Sequence, residues 1–435
     1  MKLDFNDKLP ISVKKAMTIL EEHGYKTYLV GGAIRDLVMK KKPHDYDLTT
    51  EATYEEINTV FKNQGLYSKN FKHDTVNVHF SDMDIEITSF RGNDPTSLKD
   101  DLEKRDFTIN SLAYSLKEGL IDELDSLSDI KNKIIRASYG PDEDFKDDPL
   151  RILRGIRFSG QYGFTIERKT NSSLKKLAPL INSISPERIG EEFLKILILP
   201  SSDELIKEYF DVFTSFIPEL IPLEGFNQHS SYHEYDVLDH SLKVLNAIKD
   251  RNPALCLAAL FHDIGKPHTF FMKNGSGHFY GHDEYGAELT KTILTRLKYS
   301  NNLIEEVYDL IRYHMAQMDS KKAIKRLMNK LGDNAFKELI ELREADIKGC
   351  NERNKGPFLA VENIKESYRE ILANKECFSL KDLAINGKDL IALGMKPGKE
   401  IGNVLKELLN NVEEEEKVPN DKESLINAVK EMKLL

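Results

Sequence analysis

At 435 residues, with 40% hydrophobic and 31% charged side chains, the chain is too long for one hydrophobic core and is expected to hold two to four domains. A net charge of −10 argues against a general nucleic-acid binder, and no run approaches the roughly 18 apolar residues of a membrane span. Three scattered cysteines without a CxxC pair (Cys256, Cys350, Cys377) argue against a disulfide framework or a cysteine zinc site. With no secretory h-region in MKLDFNDKLPISVKK, a cytoplasmic protein is expected.

In chain order, the first segment reads as α/β. A helix is expected over Val13–Glu22, stopped at His23-Gly24, and Tyr28–Val30 is a short apolar strand running into Gly31-Gly32. A helix follows from about Ala33, a strand over Asp45–Leu48, and another helix from about Tyr54. Thr75–Phe80 and Met83–Phe90 alternate as a hairpin turning near Ser81-Asp82. Strand density falls after about Leu127, and from Asp147 the spacing of Leu, Ile and Phe is helical nearly to the end. Boundaries are expected near residues 140, 225 and 355. Eight of the twelve histidines fall between His229 and His314, marking a module of its own. Lys40–Lys42, the triplet Arg151, Arg154 and Arg157, and the group Lys321, Lys322, Lys325 and Arg326 concentrate basic charge; the run Glu413–Lys417 reads as a solvated helix end or loop.

The strand-to-helix turn at Gly31-Gly32 lets backbone N–H groups approach a triphosphate, with Arg35 one turn further on. In Asp45-Tyr46-Asp47, alternate residues of a strand put two carboxylates on one face, and such a pair calls for a cation. Two magnesium ions held there can activate a hydroxyl and steady a pyrophosphate leaving group. Glu86, in Asp84-Ile85-Glu86-Ile87, is the candidate third carboxylate.

LVGGAIRD followed by HDYDLTT resembles the signature of the class II tRNA nucleotidyltransferases and their relatives, the bacterial poly(A) polymerases, within the polymerase-β-like superfamily. Lys104-Arg105-Asp106-Phe107-Thr108-Ile109-Asn110 resembles that family's ribose-recognition motif, which implies Arg105, Asp106 and Asn110 at the incoming nucleotide; Lys104 stands where the family has arginine. Asp147-Asp148-Pro149-Leu150-Arg151 resembles the motif whose acid and arginine read the nucleobase, which implies Asp148 and Arg151 as a protein template for cytosine or adenine. Arg154 and Arg157 continue that face toward triphosphate or tRNA. Glu187 and Arg188, in a further family motif, read as structural, and Leu383–Gly402 resembles the bacterial tail. The resemblance implies an α+β nucleotidyltransferase head over residues 1–140, followed by an all-α neck (141–225), a histidine-rich module (226–355) and a tRNA-binding tail (356–435). It also implies CTP and ATP as substrates and tRNA as partner.

Phe261-His262-Asp263-Ile264-Gly265-Lys266-Pro267 resembles the core of the HD phosphohydrolases. That likeness implies His240, His262, Asp263 and Asp346 as ligands of a divalent transition metal, with His282 and His314 as additional ligands where two metals bind. Such a module is either a phosphohydrolase or a scaffold; His229, His233, His268 and His278 are left without a role. Only six residues, Gly92–Ser97, separate Arg91 from Leu98. The family resemblance implies a longer flexible loop in members that add the full CCA, and a shortened one in members that add CC and leave the adenosine to a partner enzyme. Both products stay open at this point, and so does the A-adding or poly(A) activity of the family's relatives.

Overall fold

The computed structural model describes residues 4–64, 66, 68–70, 75–229, 235–350, 356–413 and 418–432; His233 and positions 414–417 of the acidic run lie outside them. Contacts divide the chain into two units. The first runs to Leu199 and includes Glu208–Phe216; the second comprises Pro200–Lys207 and everything from Ile217.

The first unit is built on a seven-stranded sheet in the order β3-β4-β5-β2-β1-β6-β7. Its strands are β1 (Thr27–Val30), β2 (Asp47–Thr50), β3 (Ser68–Asn70), β4 (Thr75–His79), β5 (Asp84–Ser89), β6 (Ala113–Ser115) and β7 (Gly119–Ile121). Pairing is antiparallel throughout except between β2 and β5, which run parallel. Helices α1 (Ile11–Glu22), α2 (Gly32–Val38) and α3 (Tyr54–Asn63) supply Val13, Met17, Leu20, Ile34, Ile57 and Phe61 to one core, with Leu29, Leu48, Ile85 and Ile87 from the sheet. Because side chains alternate across a strand, Val30, Asp47 and Glu86 are turned away from that core. The helix α3 starts on a capping box in which Thr53 and Glu56 satisfy each other's backbone N–H groups.

The second strand begins two residues later than its sequence suggests. Pairing with β1 ends at Val30↔Asp47, where β1 gives way to the Gly31 turn, so Tyr46 and Asp45 have no strand to pair with. Asp45 is therefore exposed just ahead of the strand rather than within it. The hairpin of β4 and β5 turns at Ser81-Asp82 as expected, closed by Phe80 N–H to Met83 O at 2.9 Å. The short strands β6 and β7, and a two-residue pair of Ile134–Ile135 with Thr165–Ile166, are additions.

Helix Pro141–Asp147 is separated from helix Leu150–Tyr162 by Asp148-Pro149. Asp148 is extended (φ −137°, ψ 97°), the conformation that a following proline imposes. It thus stands at the head of the second helix. That helix lies close on the head: a Cβ at Gly155 would sit 2.9 Å from Phe107 Cζ.

Among its described residues the second unit is helical apart from a small hairpin, Phe271–Lys273 with Ser276–His278. Helices Val237–Ala247, Pro253–Phe261, His282–Arg296, Asn301–Tyr313 and Asp333–Gly349 form its histidine-rich part. Farther on, Leu390, Met395, Leu408 and Leu425 close a small separate core among Gly387–Ala392, Lys399–Glu413 and Lys422–Glu431. The basic group at Lys321–Arg326 is partly neutralised internally, with Lys321 on Glu370 at 2.8 Å and Lys325 on Glu376 at 2.6 Å.

Candidate active site

The β1–α2 turn sets the first wall of the site. Gly31 has φ +72° and ψ −142°, a region that only glycine occupies freely. A Cβ there would lie 3.5 Å from both Asp47 Oδ2 and Arg105 Nη1. Register then brings Glu86 of β5 opposite Asp47 of β2. Burial raises the pKa of Asp47, with the charge of Asp45 adding to it and that of Arg105 opposing it. Burial likewise raises Glu86, and Asp47 and Asp45 push in the same direction. Asp47 and Glu86 thus lack enough positive charge to offset their burial, and the donor atoms of all three carboxylates are hard oxygens. That set fits divalent cations of the magnesium kind.

In front of this wall lies a cleft of about 460 Å³. Gly31, Gly32, Arg35 and Asp47 line it from the sheet side, Arg105, Asp106 and Asn110 from the segment after helix α4 (Leu98–Glu103), and Asp148, Arg151, Arg154 and Arg157 from helix Leu150–Tyr162 and its start. Asp45 and Glu86 are not part of this lining. With Arg91 and Lys104, the cleft presents seven cationic side chains against three carboxylates. That excess of positive charge suits a triphosphate.

The cleft groups are held by one another. Asp106 accepts from Arg154 at 2.8 and 2.5 Å, from Asn110 Nδ2 at 2.9 Å and from Phe107 N–H at 2.8 Å. Burial would raise its pKa, but the Arg154 charge and these donors hold it below the ordinary carboxylate range. Arg35 donates to Asn110 Oδ1 at 2.6 Å and to Asp36 at 2.9 Å, and its guanidinium lies 4.7 Å from the centre of the Tyr162 ring. Arg105 is gripped by Asp101 at 2.9 Å. Arg151 donates to Asp144 at 3.1 Å and to the Lys104 carbonyl at 2.6 Å. Arg188 reaches Asp148 at 3.1 Å, and Arg157 is tied to Glu192. Arg188 thus fixes the orientation of the Asp148 carboxylate.

Several groups here carried no role in the sequence. Arg91, Phe158, Gln161 and Tyr162 line the cleft, and Asp144 positions Arg151 from below. Phe158, Gln161 and Tyr162 follow Arg151 and Arg154 at three- and four-residue steps, so the helical face was a signal available for them. Burial pushes the Asp144 carboxyl up to about 6 in spite of Arg151 and two backbone donors.

The histidine–aspartate residues also converge, in the second unit. His240 Nε2 is 3.0 Å from Asp346 Oδ1 and 3.3 Å from Asp263 Oδ2; His262 Nε2 is 3.3 Å from the same Asp263 oxygen. On the other side, His282 Nε2 and His314 Nε2 stand 3.4 and 3.9 Å from Asp263 Oδ1. Nδ1 of His262, His282 and His314 faces the carbonyls of Ala259, Phe279 and Ile311 at 2.9, 2.8 and 2.6 Å. A carbonyl only accepts, so Nδ1 carries the proton and Nε2 offers a lone pair inward. His282 and His314 then aim two lone pairs at each other across 3.3 Å, and His262 aims its own at His240 Nε2 across the same distance. Burial and its two histidine neighbours drive His314 down to about 3, so His314 itself stays neutral and keeps its inward lone pair. Lone pairs converging in this way suit a cation, and Asp263 is placed between two groups of potential ligands. Cys350, isolated in sequence, joins His240 and Asp346 in a third such group; burial keeps its thiol protonated, with a pKa near 12.

A seven-stranded head with paired aspartates beside a cationic cleft, followed by helices, defines a nucleotidyltransferase of the polymerase-β type. Residues 27–136 match the model described as poly A polymerase head domain, residues 163–222 that described as probable RNA and SrmB-binding site of polymerase A, and residues 284–429 that described as tRNA nucleotidyltransferase domain 2 putative. The chain is 30% identical over 420 residues to a CCA-adding enzyme of Lactobacillus helveticus, covering 92% of this chain and 93% of that one. It is 37% identical over 189 residues to a CC-adding tRNA nucleotidyltransferase of Halalkalibacterium halodurans, covering 43% and 49%. Among solved structures, the CCA-adding enzyme of Bacillus stearothermophilus in complex with CTP superposes with a TM-score of 0.68 at 22% identity, covering 100% of this chain and 99% of that one. The chain belongs to the class II tRNA nucleotidyltransferases, the family of the CCA-adding enzymes.

Proposed function

We propose that the chain transfers cytidylate, and adenylate where the triplet is completed, from CTP and ATP to the 3′ end of tRNA. The observation that carries this reading is the single cleft that gathers Asp47, seven cationic side chains and the Asp148–Arg151 pair. Arg105, Arg154 and their neighbours receive the triphosphate, while Asp106 and Asn110 meet the ribose. Asp148 accepts from the exocyclic amine of cytosine or adenine, and Arg151 donates to the acceptors beside it. Guanine and uracil turn a carbonyl toward Asp148 instead, and are rejected. Two magnesium ions on Asp45, Asp47 and Glu86 would lower the pKa of the tRNA hydroxyl and neutralise the leaving group. The 3′-oxygen bonds to the α-phosphorus as the bond to pyrophosphate breaks, and the cleft contributes position and charge. Such a substrate belongs in the cytoplasm, and no helix among the described residues is long and apolar enough to cross a membrane.

Two observations pull in opposite directions on product length. The segment Gly92–Ser97 is short and bound to itself and to α4, with Thr96 N–H on Asp94 at 2.9 Å and the Ser97 side chain capping Asp100 N–H at 3.2 Å. A tied segment favours stopping at two cytidines, which leaves the adenosine to a second enzyme. The full-length likeness to a CCA-adding enzyme favours the complete triplet. One experiment addresses both questions: tRNA without its CCA end is incubated with labelled CTP and ATP, and the products are sequenced. Asp47→Ala should abolish incorporation while tRNA binding persists; turnover in that variant overturns the site. A product ending in CC supports the short-segment argument, and CCA refutes it.

The second unit supports a separate reading, favoured by the inward-facing Nε2 atoms: His240, His262, Asp263, His282, His314 and Asp346 hold divalent metal and hydrolyse phosphate esters. Asp263→Ala should lose both tightly bound metal, measured by mass spectrometry, and phosphatase activity, while CMP incorporation continues. Unchanged metal content would sink this reading.

A further inference from the structure

The hairpin Phe271–Lys273 with Ser276–His278 adjoins the histidine–aspartate cluster, and its outer surface is aromatic. Phe271 and His278 face each other in register, their rings 5.5 Å apart and 22° from parallel. The Tyr280 ring lies 5.5 Å from Phe271 and 5.4 Å from His278. Phe271 is 40% exposed and Tyr280 70%. A second stacked pair, His268 on Tyr285 at 5.0 Å and 28°, comes from the neighbouring chain segments.

Two three-residue strands are marginal alone, so this surface needs fixing from beneath. Gly277 N–H donates to His229 O at 2.9 Å, and a Cβ at Gly277 would lie 2.3 Å from the Gln228 carbonyl. Phe270 packs edge-on to Phe226 and beside Phe279. The Gln228 side chain accepts from Lys266 Nζ at 2.8 Å, and Lys266 pairs with Asp263 at 2.6 Å. Gln228 therefore abuts the hairpin with its backbone and reaches the cluster through Lys266 with its side chain. Tyr280 precedes His282 by two residues, which limits their Cα separation to about 7.6 Å.

We propose that this hairpin is a base-stacking platform, which seats a nucleoside phosphate, free or at an RNA end, with its phosphate toward the cluster. The assignment rests on the cluster being a phosphohydrolase centre. The exposed rings of Phe271 and Tyr280, set about the stacked Phe271–His278 pair, offer π-faces that any nucleobase can use, and exposed Lys273 at the hairpin adds charge for a phosphate. Hydrolysis would add water across a P–O ester bond, yielding phosphate and a free hydroxyl from a monoester. The base is untouched by that step, so stacking and chemistry can be measured apart.

Equilibrium dialysis of AMP, ribose 5-phosphate and a tetranucleotide tests it on the full-length wild type, Phe271→Ala/Tyr280→Ala and Phe271→Tyr. Any AMP held in the head cleft is common to all three proteins. The alanine pair should weaken AMP about tenfold or more and leave ribose 5-phosphate unchanged, with CMP incorporation intact; Phe271→Tyr should bind as wild type. A tetranucleotide bound tighter than AMP identifies an RNA end as the source, and equal binding a free nucleotide. AMP bound equally by wild type and the alanine pair overturns the platform, even where phosphate is released at the cluster. Ring-dependent AMP binding without phosphate release in any metal-loaded form leaves the platform standing and removes the hydrolase reading.

Discussion

A side chain proposed to read a base is only as selective as the groups that hold it still, and for Arg151 those groups are Asp144 and the Lys104 carbonyl. Asp144 is buried, accepts from Tyr139 N–H at 3.1 Å, and has its pKa raised from 3.8 to about 6 chiefly by that burial. A carboxyl whose folded pKa lies above its unfolded value binds more protons when folded, so between about pH 4 and 6 its contribution to stability falls as pH rises. Its effect on the template runs the other way. Above about pH 6 the ionised carboxylate grips Arg151, and below it the grip weakens. Discrimination of CTP against UTP should therefore decline as pH drops through 6. Asp144→Asn should lose roughly tenfold in that ratio, the size of one charge-assisted hydrogen bond. The variant's ratio should also be flat across this range, and a variant that keeps the wild-type pH profile would remove Asp144 from the template.

Elements, rather than single residues, decide which of these groups meet. The β1–α2 turn was legible because glycine is the one residue that takes φ +72° with ψ −142° cheaply, and two glycines after an apolar run announce it. Gly31→Ala should strain the backbone by about 1–3 kcal/mol and crowd Asp47 and Arg105. CMP incorporation should fall at least tenfold while thermal unfolding shifts only modestly; full activity would mean the turn is free to readjust. The ordered motifs likewise brought Arg105, Asp106, Asn110, Asp148 and Arg151 to one cleft, as their sequence resemblance implied. Other parts were out of reach for physical reasons. The Arg35–Tyr162 stack joins residues 127 positions apart on separate elements, which no local pattern encodes. Strand β2 starts at Asp47 because its partner β1 ends at Val30, a fact of pairing and not of alternation. The small hairpin at Phe271 was missed although Asn274-Gly275, both at positive φ, is a strong turn signal. Its strands are three residues long, too short to show a period of two, within a stretch whose apolar spacing is otherwise helical.

For the molecule as a whole, charge sets the approach of the partner. The chain carries −10 overall, yet the cleft offers seven cations against three carboxylates. Five of those cations, Arg35, Arg105, Arg151, Arg154 and Arg157, are already paired with Asp36, Asp101, Asp144, Asp106 and Glu192. They are pre-positioned as much as they are attractive. A polyanion such as tRNA therefore meets two fields of different range. At about 10 mM salt the Debye length is roughly 30 Å, and the net negative charge repels it from afar; at about 100 mM it is roughly 10 Å, and the local cleft dominates. Above that, displacement of counterions from fewer phosphate contacts weakens binding steadily. The association rate for tRNA, followed by stopped flow, should rise from about 10 to about 50 mM salt and fall beyond about 200 mM. CTP, too small to feel the distant charge strongly, should weaken monotonically over the same range. A monotonic fall for tRNA from the lowest salt would mean that the cleft's positive field governs at every distance and that the acidic surface faces elsewhere.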